Sequence, residues 1–309
     1  MPPAAAHLGD GPELGAKKRL DVELVSRGLA PSRAEAGALI AAGRVLVGGA
    51  VADKASRQVA LSDPVVVSAP PARFASRGGE KLDAALDHFA VKVQGALVLD
   101  AGASTGGFTD CLLQRGAARV VAVDVGHGQI LPRLRADGRV EVLERANIRH
   151  LTPADLGGRR FDVVVADLSF ISLMMVAGAL LGLAGPVADL VVLVKPQFEA
   201  GRAAVSKGKG VIRDPAIWAS VLCDVAAAFE RGGATVAGGM PSPLLGAQGN
   251  VEFFLHLLTG QQHPGPAVPL GDIAAAAAAT TAAATTAAGA ATAATTTVPT
   301  VPPSPPGLG

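Results

Sequence analysis

Seven apolar runs of four to eight residues, spaced along residues 96–258, constrain this chain more than any other feature. They are Ala96–Asp100, Arg119–Asp124, Val140–Leu143, Phe161–Ala166, Leu190–Val194, Thr235–Gly239 and Val251–Leu258. Helical stretches lie between several of them: Gly106–Arg115, Pro132–Asp137, Ser172–Leu183 and Pro215–Arg231. Strand–helix alternation requires a crossover after each strand, and crossovers produce a mostly parallel sheet covered by helices on both faces. Runs such as FDVVVA and LVVLV are continuously apolar, as strands buried on both faces must be. The expected fold class is therefore α/β. Ligands of such sheets bind beyond the carboxyl ends of the strands, near the point where strand order reverses. Asp100, Asp124, Asp167 and Lys195 close four of the runs and become the residues of interest.

The segment LVLDAGASTGGFTD leaves a strand, turns through small residues and opens a helix. Gly102, Gly106 and Gly107 leave room for a ligand against the backbone, with Ser104 and Phe108 in the same loop. The spacing is not G-x-G-x-x-G, and no Lys-Ser/Thr follows as a phosphate-cradling P-loop requires. Asp124 ends the next strand about 20 residues on, where a carboxylate can accept both hydroxyls of a ribose. A dinucleotide and S-adenosylmethionine both fit this pattern. The acid at Asp100 suits a methionine amino group and would repel a pyrophosphate. Asn147, after the third strand, is positioned to contact an adenine.

Methylation of a hydroxyl is an in-line displacement, and a hydroxyl is a weak nucleophile. Such a site needs a base or a steering group within hydrogen-bond reach. Lys195 ends LVVLV just before Pro196, an unusual place for an idle charge, and Asp167 ends FDVVVA. Lys81 is expected to open a helix just after the glycines of a linker, and Glu252 begins the last strand beside Asn250. These four form a candidate catalytic cluster: Lys195 as base or orienting group, Asp167 positioning it, and Lys81 and Glu252 holding the ribose.

Charge separates a second region. Residues 16–77 hold ten Lys/Arg against five acids, although the chain as a whole carries a formal charge of only +1. An excess of this kind suits a polyanion. Residues 16–67 read as a small α/β unit in which Leu20, Leu24 and Leu29 supply one apolar side and Leu39 and Ile40 another. Ser32 before Arg33, with Glu35 at the third helical position, reads as a capping box. Lys17, Lys18, Arg19, Arg33, Arg44, Arg73 and Arg77 are the expected RNA contacts, binding phosphates with little base readout. Residues 68–80 read as a linker and 81–259 as the catalytic domain. Residues 1–15 are expected to be disordered, as is the Ala/Thr/Pro-rich stretch 260–309, which has no large side chains to bury.

Cys111 and Cys223 lack partners at disulfide- or zinc-framework spacing, so neither a disulfide scaffold nor a metal is expected. No secretory leader and no run of strongly apolar residues of membrane-spanning length is visible, which points to the cytoplasm.

The stretches DAGASTGGFTD, DLSFISL, VKPQFEAGR and KGKGVIRDP, in this order, resemble the TlyA family of ribosomal RNA 2′-O-ribose methyltransferases, which is related to the FtsJ methyltransferases. The N-terminal KKRLDVELVSRGLAPSRAEAGALIAAGRVLVGGAV is similar to that family's alpha-L, S4-type RNA-binding domain. The resemblance spans residues 16–259. It implies a Rossmann-like class I methyltransferase sheet, S-adenosylmethionine as cofactor, ribosomal RNA or ribosomal subunits as partner, and cytidine riboses as acceptors. The family's Lys-Asp-Lys-Glu tetrad falls on Lys81, Asp167, Lys195 and Glu252. A linker that couples RNA binding to cofactor binding falls on Arg73–Gly78. The tail after Gly260 departs from the family pattern. Three rival functions remain: a cytolysin, since family members are often labelled haemolysins; a methyltransferase for a small molecule or protein; and a non-catalytic RNA chaperone.

Overall fold

The structure is a computed structural model that describes residues 17–68, 72–201, 205–206, 208–260 and 268–281. The expectation of disorder for residues 1–15 lies outside them, as does most of the tail. The chain divides into two compact units, residues 1–72 and 73–309.

In the first unit, β1 (Lys18–Arg19) pairs antiparallel with β4 (Gln58–Val59), and β2 (Val45–Val47) pairs with β3 (Ala50–Val51) and β5 (Val65–Val67). Helices α1 (Leu20–Ser26) and α2 (Arg33–Ala41) complete it. Its core is Leu20, Leu24, Ala36, Ile40, Val45, Val47 and Val59, with Leu39 partly buried against it, whereas Leu29 lies at the surface. Ser32 caps α2 as expected, its hydroxyl accepting the Glu35 N–H at 3.2 Å.

The second unit opens with α3 (Arg77–His88), followed by the strands β6 (Leu97–Ala101), β7 (Arg119–Val123), β8 (Val140–Leu143), β9 (Phe161–Ala166), β10 (Ala184–Val194), β11 (Ala234–Pro241) and β12 (Phe253–Thr259). They form one sheet in the order β11-β12-β10-β9-β6-β7-β8. All neighbours are parallel except β12, which runs antiparallel to both β10 and β11. Strand order reverses between β6 and β9, so the crevice for a ligand opens there. Helices α4 (Gly107–Gln114), α5 (Pro132–Arg135), α6 (Leu173–Leu183), α7 (Pro196–Glu199) and α8 (Pro215–Arg231) lie along the chain between the strands. Separate apolar clusters fill the two faces, one around Val164, Val192 and Trp218 and the other around Val163, Val191 and Phe108. Alternate residues of β9 and β10 thus feed opposite cores, which explains their unbroken apolar sequence.

Two expectations need correction. The stretch 68–80 is not all linker. Phe74 is buried in the second unit's core, and α3 begins at Arg77, capped by Ser76, so Lys81 is its fifth residue rather than its first. Gly79 sits inside that helix because nothing larger fits: a Cβ there would lie 2.4 Å from the Phe74 side chain. The second correction concerns residues 260–309. Residues 270–281 form a helix, α9, whose Ala274 and Ala277 are buried in the sheet's core. A Cβ at Gly239 of β11 would meet Ile273 at 2.8 Å, so the bare glycine makes room for that side chain, and Leu270 and Ile273 pack beside the two alanines. Alanine here is part of the contact surface. A composition argument reads it as absence of core.

Candidate active site

A cleft of about 290 Å³ opens at the switch point between β6 and β9. The glycine loop (Gly102–Thr105, Gly107, Phe108), the start of α3 (Ser76–Gly78, Lys81), Asp167, and Leu245 with Gly246 line it. The glycines of the loop serve packing as well as access. Gly102 has φ +88°, and a Cβ there would lie 2.5 Å from the Asp167 carbonyl oxygen. Gly106, at φ +94°, would collide with Leu134, and Gly107 with the Ser76 hydroxyl. The N-termini of α3 and α4 therefore approach closely, and that contact forms one wall.

The four candidate catalytic residues converge as two ion pairs. Lys81 Nζ lies 2.5 Å from Glu252 Oε2, and both side chains are buried. Lys195 Nζ lies 2.6 Å from Asp167 Oδ1 and donates to the Ser169 hydroxyl at 2.9 Å. Lys81 and Asp167 face the same cleft, so the two pairs address one space. Lys195 is placed by the end of β10, where Pro196 starts α7, and Asp167 by the end of β9, its N–H bonded to the Ala101 carbonyl.

Asp100 is wholly buried within β6, one residue short of its end. Its Oδ2 accepts the Thr109 hydroxyl at 2.6 Å, while Oδ1 has no hydrogen-bond partner among the described residues. Burial pushes its carboxyl up to about 7; the Thr109 hydroxyl opposes that shift, and the charges of Asp167 and Asp124 add to it. Asp124 accepts the Ser104 N–H at 2.8 Å and the Gly126 N–H at 2.6 Å, so it braces the glycine loop at the margin of the cleft. Asn147 caps a short 3₁₀ turn through the Arg149 N–H, an unforeseen structural duty. Phe108 is buried and stacks on Phe254, their ring centroids 6.3 Å apart, so it is a wall residue of the core more than a free contact.

The expected RNA contacts divide. Lys17 and Lys18 are exposed. Arg19 and Arg33 both bind Asp21, at 3.0 and 2.8 Å, and hold its carboxyl well below the usual range, Arg19 making the largest contribution. The pair keeps exposed guanidinium surface, but one of its two charges is offset locally. Arg44 donates to the Ser68 carbonyl. Arg73 pairs with Asp83 at 2.5 Å and Arg77 donates to the Leu245 carbonyl at 3.2 Å, so both are tied into the second unit. Sequence reasoning missed Ser76 and the 242–250 turn, which no local motif marks, and passed over Ser169 although it lies inside DLSFISL.

Residues 74–258 match the FtsJ-like methyltransferase model, and residues 18–65 match the S4 domain. The chain belongs to the FtsJ-like methyltransferase family. Its relatives include the 16S/23S rRNA (cytidine-2′-O)-methyltransferase TlyA of Mycobacterium tuberculosis, 52% identical over 79% of this chain and 90% of that one. Hemolysin A of Brachyspira hyodysenteriae is 38% identical over 78% of this chain and 99% of its own. A solved structure of a Streptococcus thermophilus protein described as a hemolysin superposes with a TM-score of 0.64 at 37% identity, covering 85% of this chain and 96% of that one. The haemolysin label and the FtsJ-like fold thus coexist among the relatives. Among the described residues, no helix is long and apolar enough to cross a membrane, and no group of three or more His, Cys, Asp or Glu could hold a metal ion.

Proposed function

We propose that this FtsJ-like methyltransferase moves a methyl group from S-adenosylmethionine to the 2′-hydroxyl of a cytidine ribose in ribosomal RNA. The observation that carries the reading is the convergence of the Lys81–Glu252 and Lys195–Asp167 pairs on the cleft beside the glycine loop. The residues present fit the cofactor. Asp100 Oδ1 is a buried carboxylate oxygen without a partner among the described residues, suited to an amino group, and Asp124 with Ser104 offers a polar margin for a ribose. Asn147 stands near that margin for the adenine, as its neighbour Ala146 bonds the Asp124 carbonyl. Bound there, S-adenosylmethionine supplies an electrophilic sulfonium methyl.

The protein's part is positioning and proton management. Lys195, steadied by Asp167 and Ser169, would meet the acceptor hydroxyl and orient its lone pair; as an ammonium it can take up the released proton only by passing one of its own to the Asp167 carboxylate. Lys81 and Glu252 hold the ribose from the opposite side. The S4 domain and its exposed Lys17 and Lys18 supply sequence-independent attraction to phosphates, with Arg19 and Arg33 completing that face. The 52% identity to a protein named for rRNA cytidine methylation supports this choice of acceptor. Mapping ribose methylation in rRNA from cells with and without the protein tests it. One or more 2′-O-methylcytidines should vanish with the protein; an unchanged map overturns the reading.

Phe170 supports a nucleotide acceptor independently. Its ring is 90% exposed, it sits at φ +65°, and it lies 5.2 Å from the Phe198 ring, itself 6.0 Å from Lys195 Nζ. An aromatic side chain held in the left-handed region and in water is strained, and a base stacked on it would justify both costs. Phe170→Ala should raise the KM for RNA about tenfold, since base stacking contributes about 1–3 kcal/mol. Phe170→Trp should retain the wild-type KM. An unaltered KM in the alanine variant would remove Phe170 from the RNA path.

A further inference from the structure

We infer that Asn250 is a positioning residue of the transfer site, latching the 208–212 loop to the turn that sets Glu252 against Lys81. The inference rests on the proposed role of that pair.

The Asn250 side chain is buried and uses both ends of its amide on one loop. Oδ1 accepts the Ile212 N–H at 3.1 Å, and Nδ2 donates to the Gly210 carbonyl at 3.0 Å. Its main-chain carbonyl accepts the Gly246 N–H at 2.8 Å. Gly246 lines the cleft, and a Cβ there would lie 1.9 Å from Glu252 Oε1. The Glu252 carboxylate is therefore wedged between the Gly246 backbone on one side and Lys81 Nζ on the other. Any slip of Gly246 moves the carboxylate.

One residue of the turn is strained. Gln248 sits at φ +58° and Gly249 at φ +81°, and a non-glycine residue in that region costs about 1–3 kcal/mol. Outside fastening comes from two sides, through Asn250 and through Arg77, whose guanidinium donates to the Leu245 carbonyl at 3.2 Å. The loop that Asn250 grips is anchored on its far side, where the Trp218 indole N–H donates to the Ile212 carbonyl at 3.2 Å and Ile212 itself is buried. Only an amide both accepts and donates at this spacing. An aspartate would face the Gly210 carbonyl with a second oxygen, and an alanine would leave both backbone groups without this partner. The latched loop also presents Lys209 and Arg213, both exposed, so RNA phosphates drawn to it would bear on the turn that holds Glu252.

The test compares wild type, Asn250→Ala, Asn250→Asp, Glu252→Gln and the Asn250→Ala/Glu252→Gln double variant, with ribosomal subunits as acceptor. Turnover and S-adenosylmethionine affinity are measured separately. Both Asn250 variants should lose roughly tenfold or more in kcat, as small misplacements of catalytic groups do, with cofactor Kd within about twofold. The double variant should be no slower than Glu252→Gln alone, because the two residues act through one another. Unchanged kcat in Asn250→Ala, additive losses in the double variant, or loss of folding or cofactor binding in both Asn250 variants would each overturn the inference. If the wild type methylates no subunit, the proposed function fails instead. If wild type and Asn250→Ala methylate equally, the latch alone fails.

Discussion

Replacing Lys195 by alanine is expected to lower the turnover of methyl transfer by about 10²- to 10⁴-fold, the range for removal of a general acid–base group. The affinity for S-adenosylmethionine should stay within about twofold, because Lys195 meets Asp167 and Ser169 and is not part of the glycine loop. The side chain is largely buried at the C-terminal end of β10, and its ammonium lies 2.6 Å from a carboxylate that faces the cleft. Its loss leaves Asp167 without that counter-charge. Asp167 keeps some solvent contact, so the structural cost is modest beside the chemical one. Lys195→Arg separates two roles. Arginine can orient a hydroxyl but does not take its proton. Residual activity in the arginine variant would assign Lys195 to orientation, and equal loss in both variants would assign it to proton transfer. Normal turnover in the alanine variant would remove it from the mechanism. Single-turnover kinetics with cofactor binding measured by calorimetry distinguishes these outcomes.

The second large effect belongs to Asp100. Its carboxyl titrates at about 7 in the folded chain, chiefly through burial, against an ordinary value of 3.8. A carboxyl whose folded value lies above its unfolded one keeps its proton longer in the native state. Between pH 4 and 7 the native protein therefore binds more protons than the unfolded chain. Its contribution to stability falls as pH rises through that window, and above pH 7 it is a penalty on the order of a few kcal/mol. Asp100→Asn removes the charge. The cofactor-free variant should melt at a higher temperature than wild type at pH 8, and the two should converge below pH 4.

On the proposed reading, the cofactor's amino group would reverse this penalty, because a cation against Oδ1, which has no partner among the described residues, favours the ionised form. Wild-type affinity for S-adenosylmethionine should therefore rise from pH 6 to pH 8, by at most tenfold per unit below the folded value. The asparagine variant should bind at least tenfold more weakly at pH 8, with little pH dependence. Scanning calorimetry and binding titrations across that range measure both halves. Wild-type affinity that does not vary with pH, or a variant that binds normally, would mean that Asp100 does not meet the amino group.

Much of the site was legible before any coordinates. Asp100, Asp124, Asp167 and Lys195 stand out because a buried parallel strand is uniformly apolar, so the polar residue that ends it marks the sheet's C-terminal edge. The first turn of α3 was misread for the opposite reason. Ser76, Gly78 and Gly79 look like linker residues, yet Gly79 is small because Phe74 folds back onto it, and Ser76 packs against Gly107 of the glycine loop. Arg19 and Arg33 were legible as a basic face, but their shared partner Asp21 was not; Arg33 lies 12 residues from it along the chain. The tail helix hid behind its composition, since alanines that bury themselves look the same in a sequence as alanines with nothing to bury.

The strands, the glycine loop and the strand-end charges can be read from the sequence, because each follows from local periodicity or from a turn's own residues. That Lys81 faces Glu252, 171 residues away, and that the Asn250 amide bonds the 210–212 backbone, emerge only from the folded chain. Those pairings form between segments with no common local pattern, and they exist only once β10 and β12 lie side by side and α3 packs over the end of the sheet.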